Sequence, residues 1–333
     1  MRTPPEDLDV DELAVLLADA WRFPTTELRY APVGFGSHHW VATDPTGALR
    51  FVTVDDLGQN PGAASGARLA WLHQAFRTAH ALRNEARLPF VVAPIRSSDG
   101  SVLRPVDARY VATIFPFVDG RPYPEGEDAT PADRAAVVAA VAQLHAAIAA
   151  AQPFARADDL ELIGRDDLER ALGRLKSPWT TGPFAEATRD LLVANKADVR
   201  ALLKRYDELA DRVRTHAVPW VITHGEPKPD NFLATDAGPM LIDWDTTLVA
   251  PAARDLWMLD GPTDNNLARY TDLTGRTVGR DELTFYRLRW DLADIASFVA
   301  WFAAPHVRTA DAEVAWTALM STLRLQEHWP ELL

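Results

Sequence analysis

Apolar residues recur at helical spacing from Val10 to Trp21, with acids between them, and this predicts an amphipathic opening helix. Short runs rich in β-formers follow, predicting strands near Leu28 to Val33, His39 to Thr43 and Arg50 to Val54, with Asp44-Pro45-Thr46-Gly47 turning the second into the third. A long helix from about Ala64 to Arg87 and strands near Val91 to Pro94 and Ala108 to Phe115 complete a mixed first part. Beyond it the pattern is helical. Thr130-Pro131-Ala132-Asp133 sets a cap, a proline at the first helical position and an acid in the first turn. The alanine-rich stretch Ala135 to Ala151 continues it, and further helices are predicted over 165–176, 183–215, 281–303 and 310–327. One β-like passage interrupts them: Phe232-Leu233, a turn from Thr235 to Pro239, and Met240-Leu241-Ile242 read as a hairpin.

Composition narrows the class. A chain of 333 residues, 47% hydrophobic and with 11 tryptophans, can bury a large core and is long for one compact domain. It has no cysteine, which excludes disulfides, thiolate metal sites and cysteine nucleophiles. A net charge of -13 and a pI near 5.1 disfavour nucleic acid or an anionic membrane as partner, since both are held by excess lysine and arginine, and weakly favour a cationic ligand. The N-terminal segment lacks the basic start and continuous apolar core of a signal peptide, and the stretch from Ala135 to Ala151, interrupted by Gln143 and His145, is too weakly hydrophobic to span a bilayer. A cytoplasmic protein is expected.

The chemistry concentrates in His224-Gly225-Glu226-Pro227-Lys228-Pro229-Asp230-Asn231 and Leu241-Ile242-Asp243-Trp244-Asp245. Phosphoryl transfer needs a carboxylate at the accepting hydroxyl, oxygen ligands for magnesium and fixed positive charge near the γ-phosphate, and Glu226, Asn231, Asp243 and Lys228 offer that set. The hairpin between Asn231 and Asp243 would bring both back together as hard oxygen donors. Gly34-Phe35-Gly36-Ser37 lies between two β-like runs, where a glycine turn lets backbone amides approach phosphates. In isolation it also reads as an ordinary hairpin turn; its place ahead of the loop at His224 favours the phosphate reading.

The motifs HGEPKPDN and LIDWD resemble the catalytic loop and metal-binding turn of the protein-kinase-like phosphotransferases, and within them the aminoglycoside phosphotransferase family. APVGFGSHHW, FVTVDDL, VVAPI, THGEPKPDN and APAARDLW are similar to actinobacterial proteins labelled spectinomycin-phosphotransferase-like. The resemblance implies an α+β, two-lobed kinase fold: an N-lobe over 1–115 with an antiparallel sheet, a hinge over 116–120 and a mainly helical C-lobe over 121–333. It implies ATP or GTP with Mg²⁺ as cofactors and a small-molecule hydroxyl as acceptor, an aminoglycoside, an aminocyclitol or a sugar-like metabolite. Glu226 and Lys228 become catalytic, Asn231 and Asp243 metal ligands, and Gly34, Gly36, Ser37, Phe115 and Phe117 nucleotide-binding. Asp255 corresponds to a structural aspartate beneath the loop. Asp260, Asp264, Asp291 and Asp294 lie where such enzymes bind acceptors, although each also reads as a solvated or capping acid. Asp245 supports the metal site or bonds the hairpin backbone.

Two departures fall on the machinery. Thr53 stands where the family's strand lysine reaches the phosphates, and no acid precedes Glu85 in the following helix to pair with such a lysine, so the ion pair is expected to be missing as a unit. Arg50, Arg68 and Lys228 are the cations that remain to neutralise the phosphates, and Lys228, two residues beyond Glu226, has the best claim. Glu226 occupies an aspartate position, and its extra methylene moves the carboxylate by about 1.5 Å. These losses raise a rival of another class, a catalytically weakened nucleotide-binding pseudokinase with a sensing or scaffold role. The joint presence of Asn231 and Asp243 argues against it.

Overall fold

Asp9 caps the first helix, α1 (Val10–Trp21), by accepting the amide protons of Asp11 and Glu12, and Leu13 and Leu17 on one face of it are fully buried. The computed structural model describes residues 1–58, 65–124, 129–216, 218–260 and 265–332. It divides into two compact units, Met1–Asp158 with Pro219–Val278, and Asp159–Val218 with Gly279–Leu333. The lobe boundary expected at 116–120 falls inside the first of these.

In the first unit β1 (Glu27–Tyr30), β2 (His38–Thr43) and β3 (Leu49–Asp56) precede α2 (Ser65–Asn84), and β4 (Arg104–Pro105) and β5 (Tyr110–Pro116) follow it. They form one antiparallel sheet in the order β1-β2-β3-β5-β4. The β2–β3 turn is held by Asp44, which accepts the amides of Thr46 and Ala48, and by Gly47 at a φ of 84°. Strand β3 runs two residues further than its apolar pattern implies, because β5 continues to pair with it through Asp55↔Val111 and Asp56↔Tyr110. Its two-residue period sorts its side chains. Val52 and Val54 join α1, Trp40 and Ile114 in one cluster, while Phe51 packs against Leu72, Phe76 and Phe115 in another. Thr53 and Asp55 share the face of Phe51.

The segment expected as a strand near Val91 to Pro94 is no strand of this sheet. Val91 makes an isolated parallel bridge to Leu241, and the Val92 amide donates to the Leu241 carbonyl. Pro89 and Pro94 flank it and cannot donate to a ladder, which limits the pairing to this short stretch.

After β6 (Arg121–Pro122), the expected helix start forms as a full capping box. The Thr130 hydroxyl accepts the Asp133 amide at 3.2 Å and the Asp133 carboxylate accepts the Thr130 amide at 2.8 Å, opening α3 (Pro131–Ala146), which α4 (Ile148–Ala151) extends after a break at Ala147. The second unit then begins with α5 (Arg165–Gly173) and α6 (Ala185–Thr215). The chain returns to the first unit as β7 (Val221–Thr223), the hairpin β8 (Phe232–Thr235) and β9 (Gly238–Leu241), and β10 (Leu248–Ala250), followed by α7 (Ala253–Leu256) and α8 (Asn266–Thr274). Strand β10 pairs with β7, and β6 adds to the hairpin in the order β6-β8-β9. The second unit closes with α9 (Arg280–Ala303), α10 (Ala310–Thr322) and α11 (Leu325–His328). The helix expected over 310–327 is thus broken after Thr322. Tyr206 of α6 stacks on Phe285 of α9 with centroids 5.1 Å apart, at the centre of this helical unit.

Candidate active site

Strand β7 delivers the chain into a loop whose amides are gathered by one buried acid. Asp255 of α7 accepts the His224 amide at 2.9 Å and the Gly225 amide at 2.7 Å, and His145 of α3 donates to it at 3.0 Å. Burial opposes its ionisation, yet the hydrogen bond and charge of His145, with the charge of Arg254, hold the carboxyl below its ordinary range. Gly225 sits at a φ of 103°, and a Cβ there would meet the Arg254 guanidinium at 2.5 Å, so the position admits glycine alone.

His224 is neutral for a geometric reason. Its Nε2 lies 2.9 Å from the Ile242 carbonyl, which only accepts, while its Nδ1 receives the Glu226 amide at 3.2 Å. That fixes the Nε2–H tautomer, and burial pulls the pKa down to about 4. The ring clips the loop to the hairpin.

The hairpin returns Asn231 and Asp243 to one place. The Ile242 amide donates to the Asn231 carbonyl at 2.9 Å, extending the β8–β9 register by one pair and setting Asp243 next in line, at a φ of 66°. Asn231 spends Nδ2 on the Glu226 carbonyl at 2.9 Å, which leaves its amide oxygen as the free donor atom. Lys228 Nζ stands 3.7 Å from Glu226 Oε2. The Glu226 carboxyl is raised by burial, an effect that Lys228 opposes and Asp245 reinforces. Asp243 lies at the accessible mouth of the site, yet the protein packed around it, and then the charges of Asp245, Glu226 and Asp55, raise its carboxyl well above the carboxylate range. Such crowding of negative charge suits a cation. Among the described residues no three His, Cys, Asp or Glu side chains are placed to hold a metal ion together. Asn231 and Asp243 fit magnesium, which takes one or two protein oxygens and completes its shell with phosphates and water.

The facing part of the unit supplies the glycine turn, β3 and α2. Gly34 and Gly36 adopt φ values of 67° and 96°, and the Ser37 hydroxyl donates to Asp55 Oδ1 at 2.8 Å. Arg68 of α2 reaches Asp55 at 3.4 Å and Asp245 at 3.0 Å, and the Trp71 indole donates to the Asp245 carbonyl at 2.7 Å. Burial raises the Asp55 carboxyl to about 6, with Arg68 opposing and Asp245 adding to the effect. Thr53 and the acid-free helix leave the strand-lysine pair missing as expected, while Asp55 on the strand and Arg68 on the helix form a different pair of opposite polarity. Thr53, at the lysine position, instead meets His39 Nδ1 at 3.2 Å. Arg50 points away, its guanidinium 5.3 Å from the Phe23 ring centroid.

The other expected residues are placed as follows. Phe115 is buried against Phe76, edge to face at 5.7 Å, and Phe117 is 37% exposed beyond the strand. Asp260 is exposed after the turn that ends at Leu259. Asp264 lies outside the described residues. Asp291 and Asp294 belong to α9 in the second unit, where Asp291 accepts the Trp329 indole proton at 2.8 Å and Asp294 is half-buried. Sequence reasoning did not assign Asp55 or His145. Asp55 could have been found from its two-residue offset to Thr53 on one strand face, and His145 from being a polar interruption in an apolar helix.

Residues 64–260, more than half of the chain, match the phosphotransferase enzyme family. Protein StrN of Streptomyces griseus is 29% identical over 253 residues, covering 72% of this chain and 73% of that protein. Among solved structures, a spectinomycin phosphotransferase in complex with ADP and spectinomycin superposes with a TM-score of 0.74 at 13% identity, covering 98% of this chain and 100% of its own. An ethanolamine kinase of Plasmodium vivax gives 0.53 at 11% identity, covering 89% and 81%. At such identities the structures speak to the fold, which is the α+β protein-kinase-like class. Through the match over residues 64–260, the chain belongs to the phosphotransferase enzyme family and is a small-molecule kinase.

Proposed function

We propose that this protein transfers the γ-phosphoryl group of ATP or GTP, as the magnesium complex, to a hydroxyl of a small molecule in the cytoplasm. The observation that carries the reading is the convergence of Glu226, Asn231 and Asp243 on one loop and hairpin, locked by the Asn231 Nδ2 bond to Glu226 and the Ile242 amide bond to Asn231. Magnesium bound to Asn231 and Asp243 would offset charge on the β- and γ-phosphates. Glu226 takes the proton of the acceptor hydroxyl as its oxygen gains the phosphoryl group and the nucleoside diphosphate leaves. A carboxyl raised by burial is a stronger base than an ordinary carboxylate, which suits that task. Lys228, beside Glu226, supplies positive charge to the transferring group. Gly34, Gly36 and Ser37 cover the phosphates, and main-chain groups of residues 116–120, with the side chains of Phe115 and Phe117, hold the base.

The acceptor class is an aminoglycoside, an aminocyclitol or a sugar-like metabolite, and the negative charge of the chain suits a cationic one. The kinase solved with spectinomycin makes that compound the first to try. The test is a panel of hydroxylated antibiotics and metabolites assayed for acceptor-stimulated ADP or GDP release, with the phosphorylated product identified by mass. A product 80 Da heavier than one acceptor is expected, from the mass of a phosphoryl group replacing a proton, roughly. Nucleotide binding without turnover on any acceptor would instead favour the pseudokinase.

A further inference from the structure

Two adjacent acids at the end of β3 use arginines in different ways. Asp56 takes Arg109 as a two-pronged pair, Nε to Oδ1 at 2.9 Å and Nη2 to Oδ2 at 2.5 Å, the geometry of a structural clamp. Asp55, on the opposite face of the strand, takes Arg68 through Nη2 alone, and the same Nη2 also contacts Asp245. Nε and Nη1 of Arg68 form no hydrogen bond among the described residues. A planar guanidinium with three N–H donors uncommitted, 26% exposed beside a phosphate-covering turn, is placed to meet an anion rather than to close a structural bridge.

We propose that Arg68 is the cation that meets the nucleotide's α- and β-phosphates in place of the strand lysine, and that Asp55 is the positioning residue that aims it. This rests on the functional reading above. The arrangement reverses the charges of the lysine–glutamate pair that protein kinases require, because helix α2 now carries the phosphate-binding base and strand β3 the acid that orients it. Asp55 is well suited to aiming. It is 2% exposed, its Oδ1 receives Ser37 of the glycine turn at 2.8 Å, and so one carboxylate ties turn, strand and helix together. Its Oδ2 is buried without a hydrogen-bond partner, a cost that a nearby cation offsets. Thr53 is occupied with His39 and cannot serve. Lys228 is engaged at Glu226, on the acceptor side of the chemistry.

The test is calorimetric titration of ADP with magnesium and, separately, of adenosine, into wild type, Arg68→Met, Arg68→Lys, Asp55→Asn and the double variant Arg68→Met/Asp55→Asn. The quantity read is the ratio of ADP to adenosine affinity. Arg68→Met is expected to lower that ratio about 10- to 100-fold, the worth of hydrogen bonds to a charged group, with adenosine affinity unchanged. Arg68→Lys should recover part of it. Asp55→Asn should lose several-fold by itself and add nothing once Arg68 is methionine, since a positioning residue has then nothing to position. The double variant leaves no buried carboxylate of Asp55 unpaired, so it keeps the test open if Arg68→Met alone does not fold. An unchanged ratio in the methionine variants overturns the assignment of Arg68 while leaving the functional reading standing. A wild type that binds ADP no better than adenosine and GDP no better than guanosine overturns the functional reading and this proposal with it, and if only GDP is preferred the same ratio is read with GDP and guanosine.

Discussion

The catalytic loop with its hairpin and the strand–helix pair that faces it solve their problems by different means. Residues 221–255 keep the family's order of groups, and nearly all of their geometry comes from local bonds: a single carboxylate, Asp255, collects two consecutive amides, and His224 bridges loop to hairpin across 18 residues. Strand β3 and α2 hold instead a pair of opposite polarity, Asp55 with Arg68, proposed to take over the task of the strand lysine, and the contact of Arg68 with Asp245 spans 177 residues of sequence. Local machinery has little freedom under the proposed function, because a displaced Glu226 would cost rate directly. A charge pair can be exchanged, because the phosphates require a cation at a point in space and not on a given element.

Breaking the first region should do the greatest damage. Asp243→Asn removes the charged ligand in the hairpin, and turnover should fall by about a thousandfold or more with the fold intact by circular dichroism, as expected when a phosphoryl-transfer charge clamp is lost. Near-normal turnover with magnesium and nucleotide would mean that the hairpin is not the metal-binding half.

Glu226→Gln comes next, with a loss of about 10²- to 10³-fold in kcat and little change in nucleotide affinity, the range of general base catalysis. Because burial raises the Glu226 carboxyl, the wild-type kcat/KM should fall as pH drops through a value above that of an ordinary carboxylate, and the glutamine variant should lack this limb. A pH profile shared by both proteins would deny Glu226 the role of base. Lys228→Ala should cost about 10²-fold in kcat, the lower end for one preorganised group at the transferring centre, while leaving the ADP-to-adenosine affinity ratio as in wild type. That division separates Lys228, on the acceptor side, from Arg68, on the nucleotide side.

The same contrast explains what the sequence could reveal. The hairpin was legible because turn residues between two apolar runs fix both strands within twelve residues, and the helix at Pro131 because its capping box is written in four consecutive letters. The length of β3 was not legible. Two aspartates in a row read as the end of a strand, and only pairing with β5, more than fifty residues away, carries them into the sheet. That extension places Asp55 against Ser37 and Arg68. The short pairing at Val91 likewise depends on a distant partner, Leu241, and on flanking prolines that admit extended backbone without a ladder. Burial also reassigned polar letters: His145 lies within an alanine-rich helix but bonds Asp255 and the Tyr270 hydroxyl, so it acts on the loop through another residue.

The smallest expected effect belongs to Thr53, and it bears on where the nucleotide's charge is met. Its hydroxyl bonds His39 Nδ1, and burial lowers the pKa of that ring to about 3, so the pair is neutral at physiological pH. It faces Thr113 across the β3–β5 register, whose hydroxyl is buried without a partner. Replacing Thr53 with alanine therefore removes one neutral hydrogen bond, worth about 1 kcal/mol of stability, and no charge. The variant should unfold slightly earlier in urea and keep kcat and ADP affinity within about twofold of wild type, since positioning and charge carry phosphoryl transfer. If Thr53→Ala instead lost ADP affinity on the scale expected of Arg68→Met, phosphate recognition would return to the strand position and the exchange of charge between β3 and α2 would be structural only.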